Sequence, residues 1–372
     1  MATFKELGVS AQFLKALEEN QINTPTEIQQ QAIPFLLENG TDFIGQAQTG
    51  TGKTAAFGLP LLQKVNPDNP VIQALILCPT RELGQQIAKQ LFRFTKYCDQ
   101  RIFCEAVYGG EKIDLQIARL KRPTHIVVAT PGRLIDLLER KAIKLDQVNT
   151  IVLDEADEML SMGFKPSIDK ILEFTKKGDR SIWLFSATIP HALNEIISTY
   201  MDKDAHRITV QKHQLVNENI QHQYMVVHLK DKIDLLCRFL KENQNARGIV
   251  FCRTKKNADL LSKQLFARNF KVDTIHGDLG QRDREKVMRG FKSERIQTLI
   301  ATDISARGID VNNLNYVIHY DLPDQLEYYT HRSGRTARAG KKGISLAFVS
   351  PNEINRIEEI EESLNIQIRK FD

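Results

Sequence analysis

The chain has 372 residues, 42% of them apolar and 26% charged, an ordinary globular composition that excludes a disordered or low-complexity protein. At about 150 residues per domain, that length predicts two to three domains, and two is the working expectation. A formal net charge of +5 is too small to identify a nucleic-acid partner by itself.

The five cysteines, Cys78, Cys98, Cys104, Cys237 and Cys252, show no Cys-x-x-Cys spacing, so neither a zinc site nor a disulfide framework is expected. They read as reduced thiols. The first residues hold no basic segment leading into an apolar one, and no run approaches membrane-spanning length. A soluble cytoplasmic protein with no membrane partner is expected.

Ser10 to Glu19 carries Phe13, Leu14 and Leu17 at helical spacing and predicts a surface helix behind a capping serine. In Thr24-Pro-Thr-Glu-Ile-Gln29 a second helix begins, with Ile28, Ala32, Ile33 and Leu36 on its buried face. Gln29 is the odd member, and from this stretch alone it reads as an exposed helical glutamine.

Asp42-Phe-Ile-Gly-Gln-Ala-Gln-Thr-Gly-Thr-Gly-Lys-Thr54 passes from a strand into a glycine-rich loop, then Gly-Lys-Thr and a helix, the pattern of a phosphate-binding loop. Gly50 and Gly52 let backbone N–H groups face phosphate oxygens, Lys53 reaches the β and γ phosphates, and the Thr54 hydroxyl ligates Mg²⁺. Ala47 stands where the general pattern has glycine, a mild departure.

The run Thr150-Ile-Val-Leu-Asp-Glu-Ala-Asp157 ends an apolar strand in adjacent carboxylates, at the sheet edge where open α/β folds bind ligands. Alone it reads as an acidic helix start. With the loop upstream, Asp154 is expected to hold Mg²⁺, through water or directly, and Glu155 to orient or deprotonate the attacking water. Further apolar runs at Ala74–Cys78, Ile102–Val107, His125–Ala129 and Ser181–Phe185 alternate with helical patterns and predict a parallel sheet covered on both faces. Arg81 and Glu82, Gly109-Gly110, Thr130 to Arg133 and Ser186 to Thr188 stand at strand ends, where arginine, threonine and backbone N–H groups suit a phosphate chain.

After Tyr200 the pattern breaks down, and a linker is placed at 210–218 between domains 1–209 and 219–372. The second half repeats the first weakly: Gly248 to Leu265 echoes Ala74 to Leu91, and both end in Lys-Gln-Leu. Strands are expected at Lys271–Ile275, Thr298–Ala301, Tyr316–Tyr320 and Gly343–Val349. The strand ends carry His276-Gly-Asp278, Gln281 with Arg284, Ala301 to Asp310 and His331 to Arg338. Arg332, Arg335 and Arg338 at spacings of three favour a phosphate target over a solvated helix face.

These motifs, in this order from Phe4 to about Val349, resemble the DEAD-box family of ATP-dependent RNA helicases. The resemblance implies two tandem RecA-like α/β domains, each a parallel sheet with helices on both faces, that close on ATP and single-stranded RNA. It implies that Gln29 reads adenine with Thr24 and Phe4 nearby, and that Gln48, Thr49, Gly50, Thr51, Gly52, Lys53 and Thr54 hold the phosphates. Gly308 and Asp310 serve the nucleotide, Asp310 at the ribose. Glu155 becomes the base, and Arg335 and Arg338 the arginine fingers. Asp157, Ser186, Thr188 and His331 couple hydrolysis to domain movement. RNA is expected across Arg81, Glu82, Gly109, Gly110, Thr130, Arg133, Gln281, Arg284 and Thr302, with base edges largely unread.

The implied activity is local, non-processive unwinding of short RNA duplexes or remodelling of ribonucleoproteins by a monomer that uses ATP and Mg²⁺, with ribonucleoprotein or RNA-decay proteins as partners. Three positions depart from the family pattern: Ile22, preceded by Gln21 rather than glycine, replaces an adenine-stacking aromatic, and Ser333 and Ala337 replace an apolar residue and a glycine. Two other readings are a DNA-directed helicase of the same superfamily, against which Gln29 argues, and an ATP-gated RNA clamp without turnover, against which Glu155, Arg335 and Arg338 argue.

Overall fold

The computed structural model describes residues 2–48, 50–175, 180–210, 219–306, 314–337 and 342–371, apart from the side chains of Gln281, Ile304 and Glu327. The chain divides into two compact units, Met1–Val210 and Gln211–Asp372. Of the expected linker, only Val210 lies among the described residues.

Among the described residues the first unit holds one parallel seven-stranded sheet. Its strands are β1 (Phe43–Gln46), β2 (Ala74–Leu77), β3 (Cys104–Val107), β4 (Ile126–Ala129), β5 (Thr150–Asp154), β6 (Ser181–Ser186) and β7 (His206–Thr209), in the order β3-β4-β2-β5-β6-β1-β7. The central strands read as unbroken apolar runs because both their faces are covered. In β6 the period of two sends Trp183 and Phe185 to one core and Ile182 and Leu184 to the other. Helices Glu27–Glu38, Lys53–Lys64 and Arg81–Phe94 close the first core, and Pro131–Glu139, Lys165–Glu173 and His191–Tyr200 the second. Each fully buried Leu or Ile, such as Leu184 or Ile171, contributes about 1.5–3 kcal/mol.

The second unit repeats this plan with β8 (Ile220–Val226), β9 (Gly248–Phe251), β10 (Val272–Ile275), β11 (Thr298–Ala301), β12 (Tyr316–His319), β13 (Gly343–Val349) and β14 (Arg369–Lys370). Their order is β10-β11-β9-β12-β13-β8-β14, the first unit's order with every strand number advanced by seven. The Ala74/Gly248 echo therefore falls on equivalent strands, β2 and β9. Each leads to a helix capped by a threonine: Thr80 Oγ1 accepts from Leu83 N at 3.3 Å and Thr254 Oγ1 from Asn257 N at 3.1 Å. The shared Lys-Gln-Leu ends in Leu91 and Leu265, both fully buried against their sheets.

Two strands escaped the sequence reading. The segment after Tyr200, expected to be patternless, includes β7, which extends the sheet beside β1. A further strand, β14, follows the acidic helix Ile354–Leu364 and pairs with β8. Both are short edge strands, and their residues are mostly exposed, so hydrophobic patterning does not mark them.

Candidate functional site

The phosphate loop is built as its sequence requires. β1 delivers the chain beside the end of β6, where Ala47 N donates to Ser186 O at 2.9 Å. Gly52 takes a left-handed φ of +91° as the residue before helix Lys53–Lys64, a conformation that favours glycine. A Cβ there would also collide with the Gln29 amide. Lys53 is buried and donates Nζ to Ala47 O at 3.0 Å, and Thr51 Oγ1 donates to Gln48 O at 2.7 Å.

Gln29 is not the exposed glutamine of the local reading. It is 3% exposed, accepts Thr26 N on Oε1 at 2.9 Å and donates Nε2 to Gly52 O at 3.0 Å. The same amide thus closes the start of its own helix and grips the phosphate loop. Each end keeps one bonding site in reserve, a lone pair on Oε1 and a hydrogen on Nε2. Phe4 is buried in the core that also contains Ile28, and Ile22 is half-buried against that core. Thr24 is exposed.

β5 ends at Asp154, and Glu155 adopts a left-handed φ of +51° before helix Ala156–Ser161. Burial pushes Asp154 up to about 7, partly offset by the Lys53 ammonium and reinforced by the Glu155 charge. Its Oδ1 accepts Glu155 N at 3.0 Å. A buried carboxylate whose ionised form is disfavoured gains from a divalent cation, and Asp154 with the Thr54 hydroxyl is a hard oxygen donor set that suits Mg²⁺. Among the described residues no cluster of three or more His, Cys, Asp or Glu could hold a metal by itself.

Asp157, Ser186 and Thr188 form a closed circuit between the ends of β5 and β6. Asp157 N donates to Ser186 Oγ at 3.1 Å and Ser186 Oγ to Thr188 O at 2.8 Å. Thr188 returns its N–H and hydroxyl to Asp157 Oδ2.

On the expected RNA face every described arginine of the first unit already has a partner. Arg81 pairs with Glu82 at 2.7 Å, and its Nη1 lies 2.8 Å from where a Cβ on Gly110 would stand, at a φ of +88°. Arg133 turns both terminal nitrogens to Glu111 O, 3.1 Å each. Thr130 precedes helix Pro131–Glu139, and a Cβ on Gly109 would meet open space. In the second unit, Arg284 is buried and donates Nη2 to Ser305 O at 2.7 Å. Ser305 Oγ in turn accepts Thr302 N at 3.0 Å.

The three-arginine reading needs correction at its first member. Arg332 is 2% exposed, forks onto Asp303 at 2.5 and 2.7 Å, donates to Asp321 O at 2.7 Å and covers the Phe251 ring. It is an internal tie and is not aimed at phosphate. Arg335 lies just beyond helix Leu326–Ser333 and is half-buried, as is His331 within the helix. Thr49, Gly308, Asp310, Arg338 and the Gln281 side chain lie outside the described residues. Spacing gave no warning of Asp303 or Glu111.

Ser333, out of place beside an apolar family pattern, has polar company here. Its hydroxyl is 2.8 Å from Ser345 Oγ and 3.3 Å from His319 Nε2, and His319 stacks on Tyr329 at 4.5 Å.

A phosphate loop backed by a buried lysine and a strand-end carboxylate defines a P-loop nucleotide site. Residues 26–196 match the DEAD/DEAH box helicase model and residues 231–340 the helicase conserved C-terminal domain. The chain is 44% identical over 371 residues to the DEAD-box ATP-dependent RNA helicase CshA of Geobacillus kaustophilus, covering 100% of this chain and 78% of the relative. With ATP-dependent RNA helicase CshA of Limosilactobacillus reuteri it shares 44% over 365 residues, covering 98% and 72%. Its structure resembles Dbp5 of S. cerevisiae bound to RNA and ADP BeF3, with TM-score 0.90, 32% identity and coverage of 100% and 96%. It also resembles Mss116p bound to ssRNA and AMP-PNP, with TM-score 0.86, 30% identity and coverage of 100% and 80%. The chain belongs to the DEAD-box helicase family, and each unit has the RecA-like fold.

Proposed function

We infer that the protein is an ATP-dependent RNA helicase, an RNA-stimulated ATPase that separates short duplexes locally or remodels ribonucleoproteins. The observation that carries this reading is Gln29, buried with its amide on Gly52 O while one donor and one acceptor remain for an adenine edge. Lys53 and the loop N–H groups bind the phosphates. Thr54 and Asp154 would hold Mg²⁺, which would neutralise phosphate charge. Glu155 takes the proton from the attacking water. Charge on the transferring phosphoryl group needs more than Lys53, and arginine fingers supply about 10³–10⁵ in rate in related reactions. Arg335 and Arg338 are the candidates, so hydrolysis requires both units. Because one chain carries all these groups, a monomer suffices.

RNA phosphates bound by Arg81, Arg133, Gln281, Arg284 and Thr302 favour the hydrolytic state, while the bases go largely unread. Arg81 must then share its guanidinium between Glu82 and a phosphate. A cytoplasmic setting and ribonucleoprotein or RNA-decay partners belong to the same proposal. Among the described residues no helix is long and apolar enough to cross a membrane.

ATPase stimulation by single-stranded RNA and by DNA of matched sequence tests the reading. RNA alone should stimulate. Equal stimulation by DNA would move the protein to the DNA-directed helicases, and nucleotide-dependent RNA binding without phosphate release would make it a clamp.

A further inference from the structure

Glu111 follows the Gly109–Gly110 turn, a place where a carboxylate repels a phosphate chain unless its charge is spent. Arg119 spends it: Nη1 donates to Oε1 at 2.9 Å and Nη2 to Oε2 at 2.5 Å, while Nε reaches Glu105 Oε1 at 2.5 Å. Gln116, fully buried, donates Nε2 to Glu111 Oε2 and to Tyr108 O, 2.9 Å each, which ties the carboxylate to the strand-side entry of the turn. Both partners are acceptors, so the orientation of this amide is fixed.

The main chain of Glu111 does something different. Its carbonyl accepts both terminal nitrogens of Arg133 at 3.1 Å. The Arg133 side chain is 10% exposed, its Nε lacks a hydrogen-bond partner, and the Asp136 carboxylate stands 3.7 Å away. Gln116 Oε1 is also buried and unpaired. Leaving such buried groups unpaired is destabilising, so stability alone does not select this arrangement.

We propose that Glu111 is a positioning residue for RNA: gripped by Arg119 and Gln116, it sets the Gly109–Gly110 turn and presents its carbonyl to Arg133, so that turn and guanidinium meet the phosphates in one geometry. The proposal rests on Arg133 and the turn being RNA contacts. The Arg119 guanidinium also holds the Glu111 carboxyl below its usual range, so the clamp stays ionised near neutrality.

Glu111→Gln keeps the size and loses the charge-assisted fork. In RNA-stimulated ATPase assays on the full chain, KM for single-stranded RNA should rise about 3- to 10-fold while kcat at saturating RNA stays within about twofold, the signature of lost uniform binding. Arg119→Lys keeps the charge without the fork and should act in the same direction. In an Arg133→Ala background the Glu111→Gln effect should largely vanish, because the two act through one contact. An unfolding midpoint close to that of the parent separates positioning from general loosening. A raised KM in Arg133→Ala with an unchanged one in Glu111→Gln, or additive effects in the double variant, overturns the positioning role alone. An unchanged KM in Arg133→Ala overturns the RNA contact and the proposal together.

Discussion

Thr188 donates twice to a single oxygen of Asp157, through its backbone N–H at 2.8 Å and its hydroxyl at 2.9 Å. The ends of β5 and β6 are thereby tied together, the link that a coupling role for Asp157, Ser186 and Thr188 would use. Thr188→Val removes one of the two bonds and leaves the phosphate loop untouched. ATP affinity should stay within about threefold, while unwinding falls about tenfold more than ATPase, given that a bond to a charged acceptor contributes about 1.5–3 kcal/mol. Parallel losses of ATPase and unwinding would remove this circuit from coupling.

Glu155→Gln should retain ATP and RNA binding and reduce hydrolysis by about 10²–10⁴, since the amide keeps the shape and cannot accept the proton. The RNA complex should be long-lived. Near-normal single-turnover hydrolysis would take Glu155 out of the role of base.

Gln21 and Ala337, at two family glycine positions, have φ of +58° and +56°. Side chains there meet the left-handed penalty that glycine avoids. Gln21 is exposed, so Gln21→Gly loses little packing and should stabilise the first unit by about 0.5–1 kcal/mol. Urea unfolding followed by the fluorescence of Trp183, the sole tryptophan, reads this directly. A lower midpoint would mean that the turn is unstrained.

The second unit should lose stability in mild acid. His222 is buried with Nδ1 3.0 Å from Tyr329 OH, and burial brings it down to about 4; His319 is driven well below its usual value by burial and the nearby Arg332 charge. The unfolded chain takes up these protons near pH ~6.5 and the folded chain much lower, so the contribution is full above that value and declines as pH falls towards about 4. For His222 alone the limit is on the order of 3 kcal/mol. The far-UV unfolding transition not shared by Trp183 fluorescence should weaken from about pH 7 to about pH 5, and His222→Gln should flatten that slope. A slope unchanged by His222→Gln would assign the acid sensitivity elsewhere.

The central strands were legible because parallel strands buried on both faces are written as continuous apolar runs, as in β2, β5 and β6. β7 and β14 were not, because edge strands bury little. Arg332 and Arg335 look alike in spacing, and only burial distinguishes the tie to Asp303 from a group left near the surface. Gln29 combines both cases: family resemblance supplied the adenine role proposed for it, while its bond to Gly52 needed the three-dimensional approach of a helix start to a loop 23 residues away. The contact of Arg133 with Glu111 was invisible because the acceptor is a main-chain carbonyl, which every residue carries.

The matched strand orders place two lysines at equivalent points. β8 stands where β1 stands, and each is followed by a helix whose first residue is a buried lysine, Lys53 or Lys232. Lys53 lies within electrostatic reach of Asp154 at the end of β5; Lys232 pairs at 3.4 Å with Asp321, just past the equivalent β12, and donates to Tyr320 O at 2.7 Å. The second unit thus has the cation and the carboxylate but precedes its lysine with Val227-His-Leu-Lys-Asp231, a segment without glycine. The pair has closed on itself. The two units thus use one plan for two ends: the first precedes its buried lysine with a glycine-rich loop, and the second turns the same two charges into an internal bolt.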